Sequence, residues 1–202
     1  MTAVDDVIAA IRAGRPVVLP FDTVYGLAAD PHVEAATLAL YRLKGRAEAQ
    51  PSALVARDVA HLLECIPELP GRSAAIAREL LPGPFTLIFP NPARRFPRLT
   101  GTNPEALGVR VPALIGAAKD VLTRVVALVA TSANRPGGRD PQTLLDVPEE
   151  IRAEAVCLDG GRLPGTPSTV IDLTGSQPRV LRKGAGAAED ALRRLQAPVR
   201  SG

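Results

Sequence analysis

Four short clusters in this 202-residue sequence set hydroxyl, amide and cationic side chains directly beside apolar runs: DTVYG at 22–26, KGR at 44–46, TSAN at 131–134 and STV at 168–170. Such groups at strand ends, with glycine nearby, can line a pocket into which backbone N–H groups also point, and phosphate or carboxylate suits that lining. Lys44 and Arg46 flank Gly45 just past a helical run. Two readings fit them: a phosphate contact, or a solvated helix C-terminus whose dipole favours cations. Arg110, in GVRV, sets a charge inside an apolar strand, where an unpaired guanidinium is costly. It requires an anion, either an internal carboxylate or a substrate carboxylate held by paired hydrogen bonds. Ser132 and Asn134 follow VVALVA, and Ser168 and Thr169 open VIDL. Both sets suit a binding site and equally suit hydrogen-bonded turns.

Several chemistries lack their signatures. There is no G-x-S-x-G and neither His32 nor His61 is tied by context to a serine, which argues against a serine hydrolase. A P-loop and an acidic pair at identifiable positions are also missing. The two histidines have no His or Cys partner at ligand spacing, so no protein-bound metal is expected. Cys65 and Cys157 sit far apart in apolar segments and read as buried free thiols, in keeping with a reducing cytoplasm. A net charge of +3 makes the surface mildly basic and suits anionic ligands. At 3% aromatic content without tryptophan, a stacking platform for single-stranded bases is hard to assemble. The acidic start MTAVDDVIAA and the lack of a run of about eighteen apolar residues argue against secretion and membrane spanning.

The elements that must position these clusters alternate between helix and strand. Thr2 caps a first helix whose Val4, Val7, Ile8 and Ile11 form an apolar stripe before Gly14. A strand over 16–19 follows, then a turn over 20–23 and a helix over 34–43 that Gly45 ends. Strands are expected over 53–55, 86–89, 108–111, 125–131, 155–158, 168–173 and 179–181, with helices over 59–66, 72–81, 114–124 and 188–195. Pro82-Gly83-Pro84 reads as a rigid corner and Asp159-Gly160-Gly161 as a turn. The fold class is therefore α/β, with one domain over 1–196 and a flexible tail over 197–202.

Taken in order, PFDTVYGLAADP, LYRLKGR, LLPGPFTLIF, GVRVP, ATSAN, STVIDL and VLRKGA resemble the YrdC-like domain of threonylcarbamoyl-adenylate synthases in its short single-domain form, from about residue 14 to 185. The resemblance implies an open, twisted mixed sheet flanked by helices around a basic cleft. It also implies a nucleotidyltransferase that joins L-threonine, bicarbonate and ATP into threonylcarbamoyl-AMP and pyrophosphate, for threonylcarbamoyladenosine modification of tRNA. Lys44, Arg46, Ser132 and Asn134 would then be catalytic, and Thr23, Arg110 and Ser168 would bind threonine. Arg46, Gln50, Ser132 and Arg182 would hold ATP, accompanied by Mg²⁺. Implied partners are tRNA and the proteins that transfer the threonylcarbamoyl group to it.

Three places depart from the family pattern. Gln50-Pro51-Ser52 stands where a Lys-Pro-Leu-like segment is common. Arg135-Pro136-Gly137 replaces a residue followed by Ser-Gly, and Ala113-Leu114 lacks a frequent histidine. With the basic balance, these departures motivate a second reading, a non-catalytic protein of the same fold that binds structured RNA or tRNA. A carbamoyl-transfer module ranks last, because the accompanying domains of such enzymes are not in this sequence.

Overall fold

A computed structural model describes residues 2–69 and 71–196. The tail expected over 197–202 lies outside the described residues. In chain order the elements are α1 (Ala3–Arg12), β1 (Val17–Pro20), β2 (Tyr25–Ala29), α2 (Glu34–Lys44), β3 (Ala53–Ala56), α3 (Val59–Cys65), α4 (Gly71–Leu80), β4 (Phe85–Pro90), β5 (Ala106–Arg110), α5 (Gly116–Val125), β6 (Ala127–Ser132), α6 (Glu149–Glu154), β7 (Val156–Cys157), β8 (Thr169–Asp172), β9 (Arg179–Arg182) and α7 (Ala188–Gln196). Short 3₁₀ turns lie at Pro97–Leu99 and Leu144–Asp146.

Local chemistry sets the ends of these elements. The Thr2 hydroxyl accepts from the Asp5 N–H at 3.3 Å while the Asp5 carboxylate accepts from the Thr2 N–H at 3.0 Å, a reciprocal cap that starts α1. Gly45 ends α2 in the left-handed region at φ 69°, which a side chain would resist. Asp58 caps α3 by accepting from the His61 N–H at 2.7 Å.

The strands form one mixed sheet in the order β7-β1-β2-β6-β3-β5-β4-β8-β9, with β1–β7, β3–β5 and β4–β8 parallel and the other pairs antiparallel. Its two faces are treated differently. On one face Leu54, Leu87, Phe89, Leu107, Val109 and Ile171 meet side chains such as Leu40, Leu62, Leu80 and Ile151 from the helices, giving the larger core. On the other face α1 and α5 cover the β1, β2 and β6 end and reach β3, through Val7, Ile11, Val121 and Leu122 against Val17, Ala28, Leu128 and Val55. Among the described residues no helix lies over the opposite face of β5, β4 and β8. There the alternation of the strands sends Val55, Gly108, Arg110, Thr86, Ile88, Ser168, Val170 and Asp172 into an open cleft.

Two elements were not anticipated. Strand β2 (YGLAA) is buried at all five residues and pairs with β1 and β6, although glycine and alanine are weak strand formers. The reason is space, because a Cβ on Gly26 would lie 2.3 Å from the Phe21 ring. Helix α6 is too short to carry a helical period. The strand expected over 155–158 shrinks to Val156–Cys157. Both cysteines are free, but half-buried where full burial was expected. Among the described residues no helix is long and apolar enough to cross a membrane.

Gly26→Ala should therefore destabilise the protein by about 1–3 kcal/mol through overpacking, read as a lower midpoint in urea unfolding without a change in slope.

Candidate active site

The cleft on the bare sheet face has a volume of about 500 Å³. Its floor is small and apolar, made by Gly26, Ala53, Val55, Ala106, Gly108 and Ala130. Polar groups rim it. Arg110, Thr86, Ser168 and Arg182 lie toward the ends of strands β5 and β9 and the starts of β4 and β8. Ser132, Ser52, Thr100, Asn103 and Thr174 lie toward the other end, where Arg46 contacts Thr131 and Pro51. Cations thus stand at both ends, Arg110 and Arg182 at one and Arg46 at the other, with hydroxyls, an amide and apolar surface between them.

Arg110 resolves into an internal pair. Its Nη2 donates to Asp22 Oδ1 at 2.5 Å and to Thr23 Oγ1 at 2.7 Å, and its guanidinium carbon lies 5.8 Å from the centre of the Phe21 ring. Burial pulls its pKa down, Asp22 opposes that shift, and Arg182 adds like-charge repulsion. Its Nε is buried and has no partner within the fold. Thr23 is fully buried and does not line the cleft; its hydroxyl is spent on Arg110.

Lys44 does not face solvent. At 3% exposure its ammonium donates to Ser132 O at 2.5 Å, Asn134 O at 2.9 Å and Asn134 Oδ1 at 2.8 Å, which uses all three of its protons. Of the two readings of KGR, neither describes this lysine, which pins the turn after β6 from behind. Asn134 Oδ1 also accepts from the Ser132 hydroxyl at 2.7 Å, and its Nδ2 donates to Gly138 O at 2.6 Å. The TSAN residues are thus hydrogen-bonded turn residues, and Ser132 at the same time lines the cleft. Burial and nearby Arg46 lower the Lys44 pKa from its ordinary 10.5 to about 8.

Arg46 donates from Nη1 to Thr131 Oγ1 at 3.1 Å and from Nη2 to Pro51 O, leaving a buried Nε without a partner in the fold. Burial lowers its pKa. Ser168 and Thr86 share a hydrogen bond of 2.8 Å, and Arg182 donates from Nη2 to Ser168 O at 2.8 Å and to Ser168 Oγ at 3.2 Å. Asp172 also lines the cleft. Its carboxylate is taken by Arg179 at 2.7 Å and by the Thr174 hydroxyl at 2.6 Å. Tyr25 of DTVYG is a clamp: its hydroxyl lies 2.8 Å from both Asp159 Oδ1 and Gly161 O and accepts from the Gly160 N–H at 2.9 Å. Burial pushes its pKa up to about 12.

Of the residues singled out in sequence, Arg46, Arg110, Ser132, Ser168 and Arg182 come together in the cleft, while Lys44, Asn134 and Thr23 stand behind it. Gln50 is exposed in the turn before β3 and is not part of the lining. Arg135 of the altered TSAN continuation points elsewhere, donating to Glu150 at 2.8 Å and to Leu43 O at 3.1 Å. Ala113 contributes its N–H to Asp22 Oδ2 at 3.0 Å. Sequence reasoning passed over Thr86, although TLIF alternates and so turns its threonine to the face opposite Phe85 and Leu87.

A family model, Sua5_yciO_yrdC, with the description Telomere recombination, matches residues 9–184. The chain is 33% identical over 182 residues to the threonylcarbamoyl-AMP synthase of Pyrococcus abyssi, an alignment that covers 89% of this chain and 53% of that protein. It spans about half the length of that relative. The threonylcarbamoyl-AMP synthase of Thiobacillus denitrificans is 36% identical over 168 residues, covering 82% of this chain and 88% of the relative. Among solved structures, P. abyssi Sua5 complexed with L-threonine superposes with a TM-score of 0.84 at 31% identity, covering 96% of this chain and 57% of that one.

Unfolded lysine keeps its proton to about 10.5 while folded Lys44 releases it near 8, so between these values the unfolded state binds more protons. Lys44 therefore makes the protein more stable as pH rises through this window, and Lys44→Met should remove that upward slope in urea-unfolding free energies.

Proposed function

The chain belongs to the Sua5_yciO_yrdC family, and from that premise we propose that it is a threonylcarbamoyl-AMP synthase, using L-threonine, bicarbonate and ATP. What carries the reading is a pair of guanidiniums in one cleft, Arg46 and Arg110, each with a buried Nε that finds no partner in the fold. A buried donor left unmet costs about 1–3 kcal/mol, so both positions favour an anionic ligand that completes them.

Arg110, with Ser168 beside it, receives the threonine carboxylate. Arg46, Ser132 and Arg182 face the phosphates, and the amide- and hydroxyl-lined surface around Ser52, Asn103 and Ala106 receives the nucleoside. The threonine amine attacks the carbon of bicarbonate, an N–C bond forms and water leaves. A carbamate oxygen then attacks the α-phosphorus, and the bond to the β-phosphate oxygen breaks to release pyrophosphate. No protein nucleophile takes part. The residues act by orientation and by fixed positive charge where negative charge moves from the α-phosphorus to the leaving pyrophosphate. Lys44, Asn134 and Thr23 serve as positioning groups, since none reaches the cleft.

Mg²⁺ would come with the triphosphate and screen its oxygens. Asp172 is the one carboxylate among the described lining residues, and its engagement with Arg179 and Thr174 leaves no free protein ligand to assign to the ion. The exposed position of Gln50 speaks against its proposed role at the nucleotide.

The product is consumed in tRNA modification, with tRNA and the transferring proteins as downstream partners in a cytoplasmic setting. Free cysteines are in keeping with that compartment. The non-catalytic RNA-binding alternative draws no support from relatives named as synthases.

Purified protein should release pyrophosphate from ATP only when threonine and bicarbonate are both supplied; release independent of threonine refutes the assignment. Arg110→Ala should raise the KM for threonine by about 10- to 100-fold, the worth of a charged hydrogen bond. Arg46→Ala should act instead on the KM for ATP.

A further inference from the structure

The group that holds Arg110 comes from far across the sheet. Strands β6 and β3 lie between β2 and β5, yet the turn before β2 reaches the end of β5 through Asp22. Both oxygens of this carboxylate are engaged. Oδ1 accepts from Arg110 Nη2 at 2.5 Å, and Oδ2 accepts from the Ala113 N–H at 3.0 Å. One carboxylate therefore grips the side chain of Arg110 and also the backbone three residues beyond it, which fixes the turn relative to the strand at two points.

The neighbours of Asp22 complete the hold. Thr23 Oγ1 accepts from the same Nη2 at 2.7 Å, and the Phe21 ring lies 5.8 Å from the guanidinium carbon. Three consecutive residues thus occupy one nitrogen and approach the guanidinium from the ring side. Both protons of Nη2 are committed, while Nε is left without a partner. The arrangement selects which nitrogens a ligand can use.

We infer that Asp22 is a positioning residue for substrate recognition: it orients Arg110 so that the guanidinium nitrogens outside the turn meet the threonine carboxylate. This rests on the reading of Arg110 given under Proposed function. A carboxylate so close to Arg110 could instead act as a competitor that threonine must displace, and the two roles predict opposite signs. The double anchor favours positioning, because displacing Asp22 would also release the Ala113 amide.

The test measures pyrophosphate release and calorimetric threonine binding for the full chain as wild type, Asp22→Asn, Arg110→Ala and the double variant. Asp22→Asn should raise the KM and Kd for threonine about tenfold, in line with a weakened charged contact, and leave the KM for ATP within about twofold. In the Arg110→Ala background the same change should alter threonine binding by less than about twofold, since both residues act through one contact. Asp22→Glu keeps the charge but shifts its position, so it should weaken threonine as well; it serves if the asparagine variant does not fold. Tighter threonine binding in Asp22→Asn, equal losses for threonine and ATP, or additive losses in the double variant overturn the positioning role. Wild-type protein that binds no threonine overturns the proposed function and this role with it, whereas wild-type binding matched by Asp22→Asn overturns this role alone.

Discussion

The cation of Arg110 within β5 is the constraint around which the cleft is organised. A strand otherwise built of apolar residues can carry a buried guanidinium only when a carboxylate lies within reach, because desolvation of the lone charge would exceed what the strand's packing supplies. Asp22 meets that need at 2.5 Å from a turn that two intervening strands separate from β5. The pair therefore determines more than one side chain. It requires the β1–β2 turn to fold over the end of β5, and that places Phe21 against Gly26 and brings Thr23 beneath the rim.

A second constraint acts on the opposite side of the cleft, where Lys44 is surrounded by oxygens of the turn after β6. Its three donors gather Ser132 O, Asn134 O and Asn134 Oδ1 onto one point. Ser132 is in this way fixed before any ligand arrives, and the adjacent Arg46 is held by Thr131 and Pro51. The two cationic walls are consequently rigid for different reasons: one is tied by a carboxylate, the other by backbone carbonyls. Both sit at the margins of a face that α1 and α5 leave open.

Much of this was legible in the residues. The Thr2 cap, the Gly45 stop and the alternation of TLIF gave elements close to those observed, and the ordered blocks led to the family and to Arg46, Arg110, Ser132, Ser168 and Arg182. What was not legible depended on contacts distant in the chain. KGR by itself cannot reveal that Lys44 is buried, because the oxygens that receive it are about ninety residues further on. GVRV shows that Arg110 needs an anion, but the choice of Asp22 depends on strand order, which local periodicity does not encode. Strand β2 was hidden for a similar reason: its glycine and alanines are dictated by the ring of Phe21 and the close approach of neighbouring strands, not by strand propensity. Gln50 was drawn in by its place in a motif, while the turn it occupies carries it to the surface.

The bare face of β5, β4 and β8 couples the persistence of the fold to the contents of the cell. In an ordinary layered domain a helix would seal such a surface; here Ala106 and Ile88 remain open beneath the rim. Whatever fills the cleft acts as the missing layer and favours the native state in proportion to the logarithm of its concentration. Abundance of the protein, through its resistance to unfolding and proteolysis, would then follow the supply of its own ligands.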